Sequence, residues 1–304
     1  MYNRPNTWHA EAVVEGMNGP LLPGLDRRGR GFRITGHPLA QAAAREFSSG
    51  FEEGTLRFFD AVLPSCARMV DFGAYIGFTA LYAATWGADV FAFEPSPTNH
   101  ELLSRNVAEN PELAPRIRLF RHGVGDGDSY TPLYAKGAAD SGSSIFRDVE
   151  RQGVICALQD AIVPLRDAGA VLQEVGLDGQ TLLKIDIEGA EYLVLPSIAG
   201  LLAERKPWLH VSFHPFNLVA GPDAYRTALL RLRCTMQVAE ALASYHFMHV
   251  YSDEDGWCSI GPSERMDFLR HYLLNAKPVA RIASPQYGFV HAIGFSDQAL
   301  PTDA

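Results

Sequence analysis

Three ionisable residues alternate in the stretch Thr181 to Glu191, which reads Thr-Leu-Leu-Lys-Ile-Asp-Ile-Glu-Gly-Ala-Glu. With the two-residue period of a strand, Lys184, Asp186 and Glu188 share one face, and Leu183, Ile185 and Ile187 share the other. Charge on a buried face is costly unless the groups pair or work. In an open α/β sheet the ligand crevice lies outside the strand carboxyl ends, which puts Asp186 and Glu188 beside it. A buried Lys184–Asp186 ion pair is the structural alternative, and it does not exclude catalysis. The next strand candidate, Trp208 to Phe213, runs into His214-Pro215, so that His210, Ser212 and His214 share a face. At that strand end a neutral imidazole near pH 7 could take a proton from a hydroxyl. Asp186, Glu188 and His214 also offer oxygen and nitrogen ligands for a divalent metal, but no motif spacing demands one and a metal is not favoured. His246 and His249 are read as structural.

A second set of residues answers the first. Val70 to Leu81, Val-Asp-Phe-Gly-Ala-Tyr-Ile-Gly-Phe-Thr-Ala-Leu, is an apolar run entering a glycine turn and leaving into a helix. Gly73 lets the chain turn off the strand and Gly77 lets the helix begin close to a ligand. Asp71 and Ala74 flank the turn and, with Pro95 and Asp186, are read as cofactor-binding residues. Glu94 closes the next strand, Val90 to Pro95, at about the 20-residue spacing expected of an acid that binds ribose hydroxyls. Pro95 stops that strand and fixes the backbone behind the carboxylate. The turn lacks the Gly-Lys-Ser/Thr of a P-loop and the Gly-x-Gly-x-x-Gly of a dinucleotide fold, which favours a cofactor with ribose but no phosphate, S-adenosylmethionine.

These residues need strands to carry them and helices to space the strands. Strand candidates are Met69 to Phe72, Asp89 to Phe93, Ile117 to Arg121, Thr181 to Ile187 and Trp208 to Phe213. Helical stretches near Thr79 to Thr85, Thr98 to Glu109, Ala190 to Leu202 and Ala224 to Ala243 separate most of them. Such alternation calls for a parallel sheet with right-handed crossovers. Residues 126–180 break the rhythm and are expected to form an insertion or small hairpin region at the active-site edge. After it, strands Phe247 to Tyr251 and Gly288 to Phe295 flank a helix at Glu264 to Leu274, compatible with an antiparallel edge. Residues 1–50 form an irregular arm with one short helix, Pro38 to Phe47, and its cluster Arg27, Arg28, Arg30 is read as a solvated loop. Glu52 to Val62 presents an apolar helical face to the sheet, and residues 51–304 are taken as one domain.

Composition sets outer limits. Of 304 residues, 47% are hydrophobic and 20% charged, enough for a core without staples. A net charge of -9 argues against a broad nucleic-acid surface. Cys66, Cys156, Cys234 and Cys258 are scattered and read as reduced thiols, which with the lack of a signal or membrane segment suggests a cytoplasmic setting.

Taken with Asn106 and Asn110, Gly-Val-Gly-Asp at Gly123 to Asp126 and Ser-Gly-Ser-Ser at Ser141 to Ser144, the stretches above resemble the FkbM family of S-adenosylmethionine-dependent methyltransferases. The Lys-Ile-Asp-Ile-Glu-Gly-Ala-Glu element is the most specific part. The resemblance implies a class I, Rossmann-like doubly wound α/β sheet, mostly parallel with an antiparallel last strand. It implies O-methyl transfer to a hydroxyl of a sugar or secondary metabolite. By position, Gly73, Tyr75 and Gly77 would line the methionine and ribose end, Glu94 the ribose, and Gly123 and Val124 the adenine side. Asp186 and Glu188 would face the methyl group and acceptor, with His214 or Asp186 as base and Lys184 orienting the carboxylates. Where the family often carries an acid, this chain has Ser212. The alternative from another class is an inactive cofactor-binding or interaction protein of the same fold.

Overall fold

The computed structural model describes residues 30–48, 53–135, 137–146, 158–221, 223–252, 256–266, 268, 282–284 and 288–300. Two helices, α1 (Pro38–Ser48) and α2 (Glu53–Val62), precede the first strand. Then come β1 (Arg68–Phe72), α3 (Phe78–Thr85), β2 (Asp89–Phe93), α4 (Pro97–Ala108) and β3 (Ile117–Phe120). The insertion region holds β4 (Gly123–Gly125), β5 (Ser129–Ala135), β6 (Leu158–Asp167) and α5 (Ala168–Val175). The second half runs β7 (Thr181–Ile185), α6 (Glu191–Ser197), α7 (Ala199–Arg205), β8 (Trp208–Val211), α8 (Ala224–Ala241), β9 (Phe247–Ser252), β10 (Gly256–Ile260), β11 (Ile282–Ser284) and β12 (Gly288–Ser296).

The main sheet has the order β10-β9-β12-β8-β7-β1-β2-β3, with β11 on β12. All pairings from β3 through β8 are parallel, whereas β12 is antiparallel to both β8 and β9. This is the class I methyltransferase arrangement, with the last strand inserted in reverse and β10 added at the edge. The chain reverses its order at β1, and a crevice opens beyond the carboxyl ends of β1, β2 and β7 at that point.

Both faces of the central strands are buried, as their near-continuous apolar runs require. On β1, β2 and β7, Val70, Phe72, Phe91, Phe93, Leu183 and Ile185 pack into a core shared with α5 to α8. Their alternates Met69, Val90, Ala92 and Leu182 pack into a core shared with α1 to α4. Alternate side chains therefore feed two separate cores. Among the described residues no helix is long and apolar enough to cross a membrane.

Several boundaries differ from the sequence expectations. The charged strand ends at Ile185 instead of Ile187, because the chain turns away through left-handed Glu188 and Gly189, with φ of 52° and 106°. The helix expected from Ala190 to Leu202 is two helices broken at Ile198, beside Pro196, which removes a backbone donor. The insertion forms the three-stranded sheet β4-β6-β5, and it also contains α5, capped by the Asp167 carboxylate accepting the Ala170 N–H at 2.7 Å. Of the helix expected at Glu264 to Leu274, residues 264–266 and 268 are helical and the others lie outside the described residues. Arg27, Arg28 and Cys156 also lie outside them, while Cys66 and Cys234 are free thiols. Arg30 is not a loop charge in water: its guanidinium covers the Trp86 ring at 3.7 Å and donates to Thr85 O.

Candidate active site

The glycine turn is held by contacts that tolerate no other residue. Gly73 has φ of 86°, and a Cβ there would stand 1.8 Å from the carbonyl oxygen of Asp186, so the β1 and β7 exits touch backbone to backbone. Gly77, at φ 93°, leaves space for Leu103 of α4, whose Cδ1 would lie 2.4 Å from an added Cβ. Between them Tyr75 is itself left-handed, with φ of 53°. That unfavourable conformation aims the Tyr75 N–H at Glu94 Oε2, 2.9 Å away.

Asp71 sits at the foot of the turn. It is fully buried, accepts from Thr79 Oγ1 at 2.7 Å and pairs with Lys184 Nζ at 3.2 Å. Lys184 also donates to Gly73 O and lies 3.4 Å from Asp186 Oδ2. Lys184 is thus the pin between the two strand exits. Asp71 acts through Lys184 and lines neither of the clefts described next, and Gly77 also stays behind the wall.

The first cleft is bounded by Gly73, Tyr75, Glu94, Pro95, Gly123 and Val124, with Phe93, Leu133 and Leu165 supplying apolar walls. Glu94 accepts the Tyr75 N–H and, through Oε1, the Ser96 N–H at 2.9 Å, which leaves each carboxylate oxygen a further lone pair. Burial pushes its pKa up to about 7, against the opposing pull of those donors. A segment of the insertion forms the opposite rim. The Tyr75 hydroxyl donates to Ala139 O at 2.9 Å, Asn99 Nδ2 donates to Asp140 O at 3.1 Å, and Ser141 and Ser143 line the opening.

The second cleft shares Gly73, Tyr75, Ser141, Asp186 and Glu188 with the first and adds Lys184, Ser212 and His214. Its outer wall is α1, through Ala43, Glu46 and Phe47. Here His214 Nε2 faces Asp186 Oδ1 at 3.6 Å and Glu188 Oε1 at 3.4 Å. Glu188 is held by Asn217, whose Nδ2 donates to its Oε2 and carbonyl, and by Ser144, whose hydroxyl donates to the same carbonyl.

Glu191 is the residue that sequence reasoning passed over. It is fully buried and its Oε1 accepts the His214 backbone N–H at 2.6 Å while lying 3.2 Å from ring Nδ1. Its Oε2 accepts the Gly189 N–H at 2.8 Å. One carboxylate therefore fixes the β7 exit and the His214 ring together, turning Nε2 toward the cleft.

The electrostatics change the expected state of the histidine. Burial alone would lower the His214 pKa, but Glu188, Glu191 and Asp186 outweigh it and raise the ring well above the ordinary imidazole value. That direction favours the imidazolium at neutral pH over the neutral base expected from its strand-end position. Burial, with Asp186 and Glu191 nearby, pushes Glu188 up to about 7. Burial also opposes the charge of Asp186, yet Lys184 and the histidines prevail and keep its carboxyl below its ordinary value. His210 does not join the cluster: it is buried, has the Phe59 ring edge-on at 6.0 Å, and is kept neutral by burial and Lys184. His249 is structural, bonded to Ser259 and Ser296.

Comparison with known proteins gives a consistent assignment. The profile of the methyltransferase FkbM domain matches residues 71–245, more than half of the chain. The chain is 30% identical over 163 residues to the methyltransferase sdnD of Sordaria araneosa, covering 45% of this chain and 62% of that protein. It is 31% identical over 204 residues to the AMB antimetabolite synthetase AmbE of Pseudomonas aeruginosa, covering 56% of this chain and 10% of that much longer protein. The chain thus spans less than two thirds of either relative. Among solved structures, the methyltransferase FkbM from Methylobacillus flagellatus aligns with a TM-score of 0.39 and 22% identity, over 64% of this chain and 42% of that one. A geranyl diphosphate methyltransferase in complex with GPP and sinefungin aligns at 0.38 and 10% identity, over 91% and 88%.

Proposed function

The chain belongs to the FkbM methyltransferase family, and we propose that it uses S-adenosylmethionine to methylate a hydroxyl oxygen of a small molecule or glycan, of the sugar or secondary-metabolite type. The observation that carries this reading is the pair of clefts meeting at Gly73, Tyr75, Asp186 and Glu188, one suited to an adenosyl group and the other open to an acceptor. When bound, the cofactor supplies an electrophilic sulfonium methyl.

The residues of the first cleft suit that cofactor. Glu94 has free lone pairs for both ribose hydroxyls, and the bare Gly73 backbone admits the methionine portion. Pro95, Val124 and Leu165 offer an apolar slot for the adenine. In the second cleft an acceptor hydroxyl meets the Asp186–Glu188–His214 cluster, where an Asp186 or Glu188 carboxylate takes its proton as the oxygen becomes nucleophilic. Lys184 and Glu191 hold the cluster in register so that oxygen, methyl carbon and sulfur can line up. Phe47 and Ala43 on α1 screen the acceptor from water.

The test is formation of S-adenosylhomocysteine with a panel of hydroxyl-bearing sugars and secondary metabolites. Asp186→Ala should bind the cofactor like the parent chain and lose turnover by at least roughly a hundredfold. Cofactor binding with no transfer to any acceptor would instead favour a binding protein of this fold.

A further inference from the structure

We propose that Asp186, Glu188 and His214 form a binding site for one divalent cation of the Mn²⁺ type at the junction of the two clefts. Among the described residues these three each offer one ligand atom, all within 4.8 Å of one another. His214 Nε2 stands 3.6 Å from Asp186 Oδ1 and 3.4 Å from Glu188 Oε1. Both separations are longer than good charge-assisted hydrogen bonds. Two ligands each about 2.1 Å from an ion stand roughly 3.0 to 3.5 Å apart at right or tetrahedral angles, so the Glu188 separation matches an edge of a coordination shell and the Asp186 separation lies just beyond one.

A second observation is independent of those distances. The other ring nitrogen of His214 faces a buried carboxylate, Glu191 Oε1 at 3.2 Å. A carboxylate on the far side of a histidine ring is the usual device for fixing the tautomer of a metal-ligating imidazole. Glu188 is held in the same way, with Asn217 Nδ2 on Oε2 and Oε1 directed at His214.

Charge points the same way. Asp71, Asp186, Glu188 and Glu191 gather four carboxylates around Lys184 and the His214 ring. A divalent ion there adds positive charge beside those carboxylates. Three protein ligands on the floor of the second cleft leave the remaining positions facing the acceptor space. One imidazole with two carboxylates fits Mn²⁺, Fe²⁺ or Zn²⁺ better than Mg²⁺, which prefers oxygen and retained water.

Binding of the ion does not depend on methyl transfer; only its part in orienting an acceptor hydroxyl rests on the function proposed above. The full chain, stripped with chelator and free of cofactor, is titrated with Mn²⁺ by electron paramagnetic resonance and calorimetry. The expected result is one Mn²⁺ per chain, with affinity at least tenfold weaker in Asp186→Asn and in His214→Gln, and also reduced in Glu191→Gln. His246→Gln, outside the cluster, should bind as the parent does, and circular dichroism identifies any variant that fails to fold. Absence of Mn²⁺, Zn²⁺ and Mg²⁺ binding to the parent chain at millimolar metal would overturn the proposal. So would binding unchanged in the folded Asp186→Asn and His214→Gln proteins.

Discussion

Glu94 and Gly73 are the residues whose chemistry is most directly exposed to test. Glu94 is an acid whose value in the folded protein, about 7, lies above its ordinary 4.5. The cofactor-free protein therefore holds a proton that the unfolded chain has lost, so its stability falls as pH rises through that window. Ribose hydroxyls donate more strongly to the ionised form, so cofactor affinity should rise with pH up to about 7 and then flatten. Calorimetry on either side of that pH checks this, and the slope should vanish in Glu94→Gln. Gly73→Ala should cost about 2 to 4 kcal/mol in a denaturant melt, because its Cβ meets rigid backbone. Gly77→Ala should cost less, since the obstructing atom is the end of the Leu103 side chain. At this scale the placement of the glycines and Glu94 was legible because it is local to one strand, turn and strand. Glu191 was not, because its partner His214 lies 23 positions away and only the fold joins them.

Among the elements, α1 walls the second cleft, and the segment before it ties that wall to the rest of the chain. Asn106 Oδ1 accepts the Thr35 N–H at 3.0 Å and its Nδ2 donates to Ile76 O, so one side chain ties the arm to the glycine turn. Asn110 accepts the Arg33 N–H at 2.6 Å and donates back to Arg33 O. Phe47 of α1 then packs on Phe78 at 4.9 Å between ring centroids. Asn106→Ala should lower stability by about 1 to 3 kcal/mol through the donors and acceptors it strands. It should also raise the acceptor KM more than the cofactor KM, a split read from steady-state kinetics. The helix of this arm was visible in its periodicity, but its place as a wall of the second cleft was not. That place is set by two asparagines over 70 residues further on. In the same way α5 escaped notice inside a glycine-rich region, since its start depends on one capping carboxylate.

On the scale of the whole molecule, the sequence pattern of alternating strands and helices suffices for the parallel core, because strands buried on both faces read as near-continuous apolar runs, broken here by paired groups such as Asp71 and Lys184. It does not fix how the chain leaves those strands. Left-handed Tyr75 and Glu188 are needed where the β1 and β7 exits converge, and their side chains carry no propensity signal for that conformation. Of the four left-handed non-glycine residues among those described, Tyr75, Ala139 and Glu188 lie at the carboxyl edge of the sheet, where both clefts and the Asp186–Glu188–His214 cluster meet, and Lys206 lies away from it at the end of α7. We propose that this edge binds an adenosyl cofactor through Glu94. Calorimetric titration of S-adenosylmethionine into the parent chain and into Glu94→Ala tests it most directly. Loss of two charge-assisted hydrogen bonds, about 3 kcal/mol together, predicts one-to-one binding by the parent and roughly hundredfold weaker binding by the variant. Equal affinity in the two folded proteins, or no binding by the parent, would contradict the account.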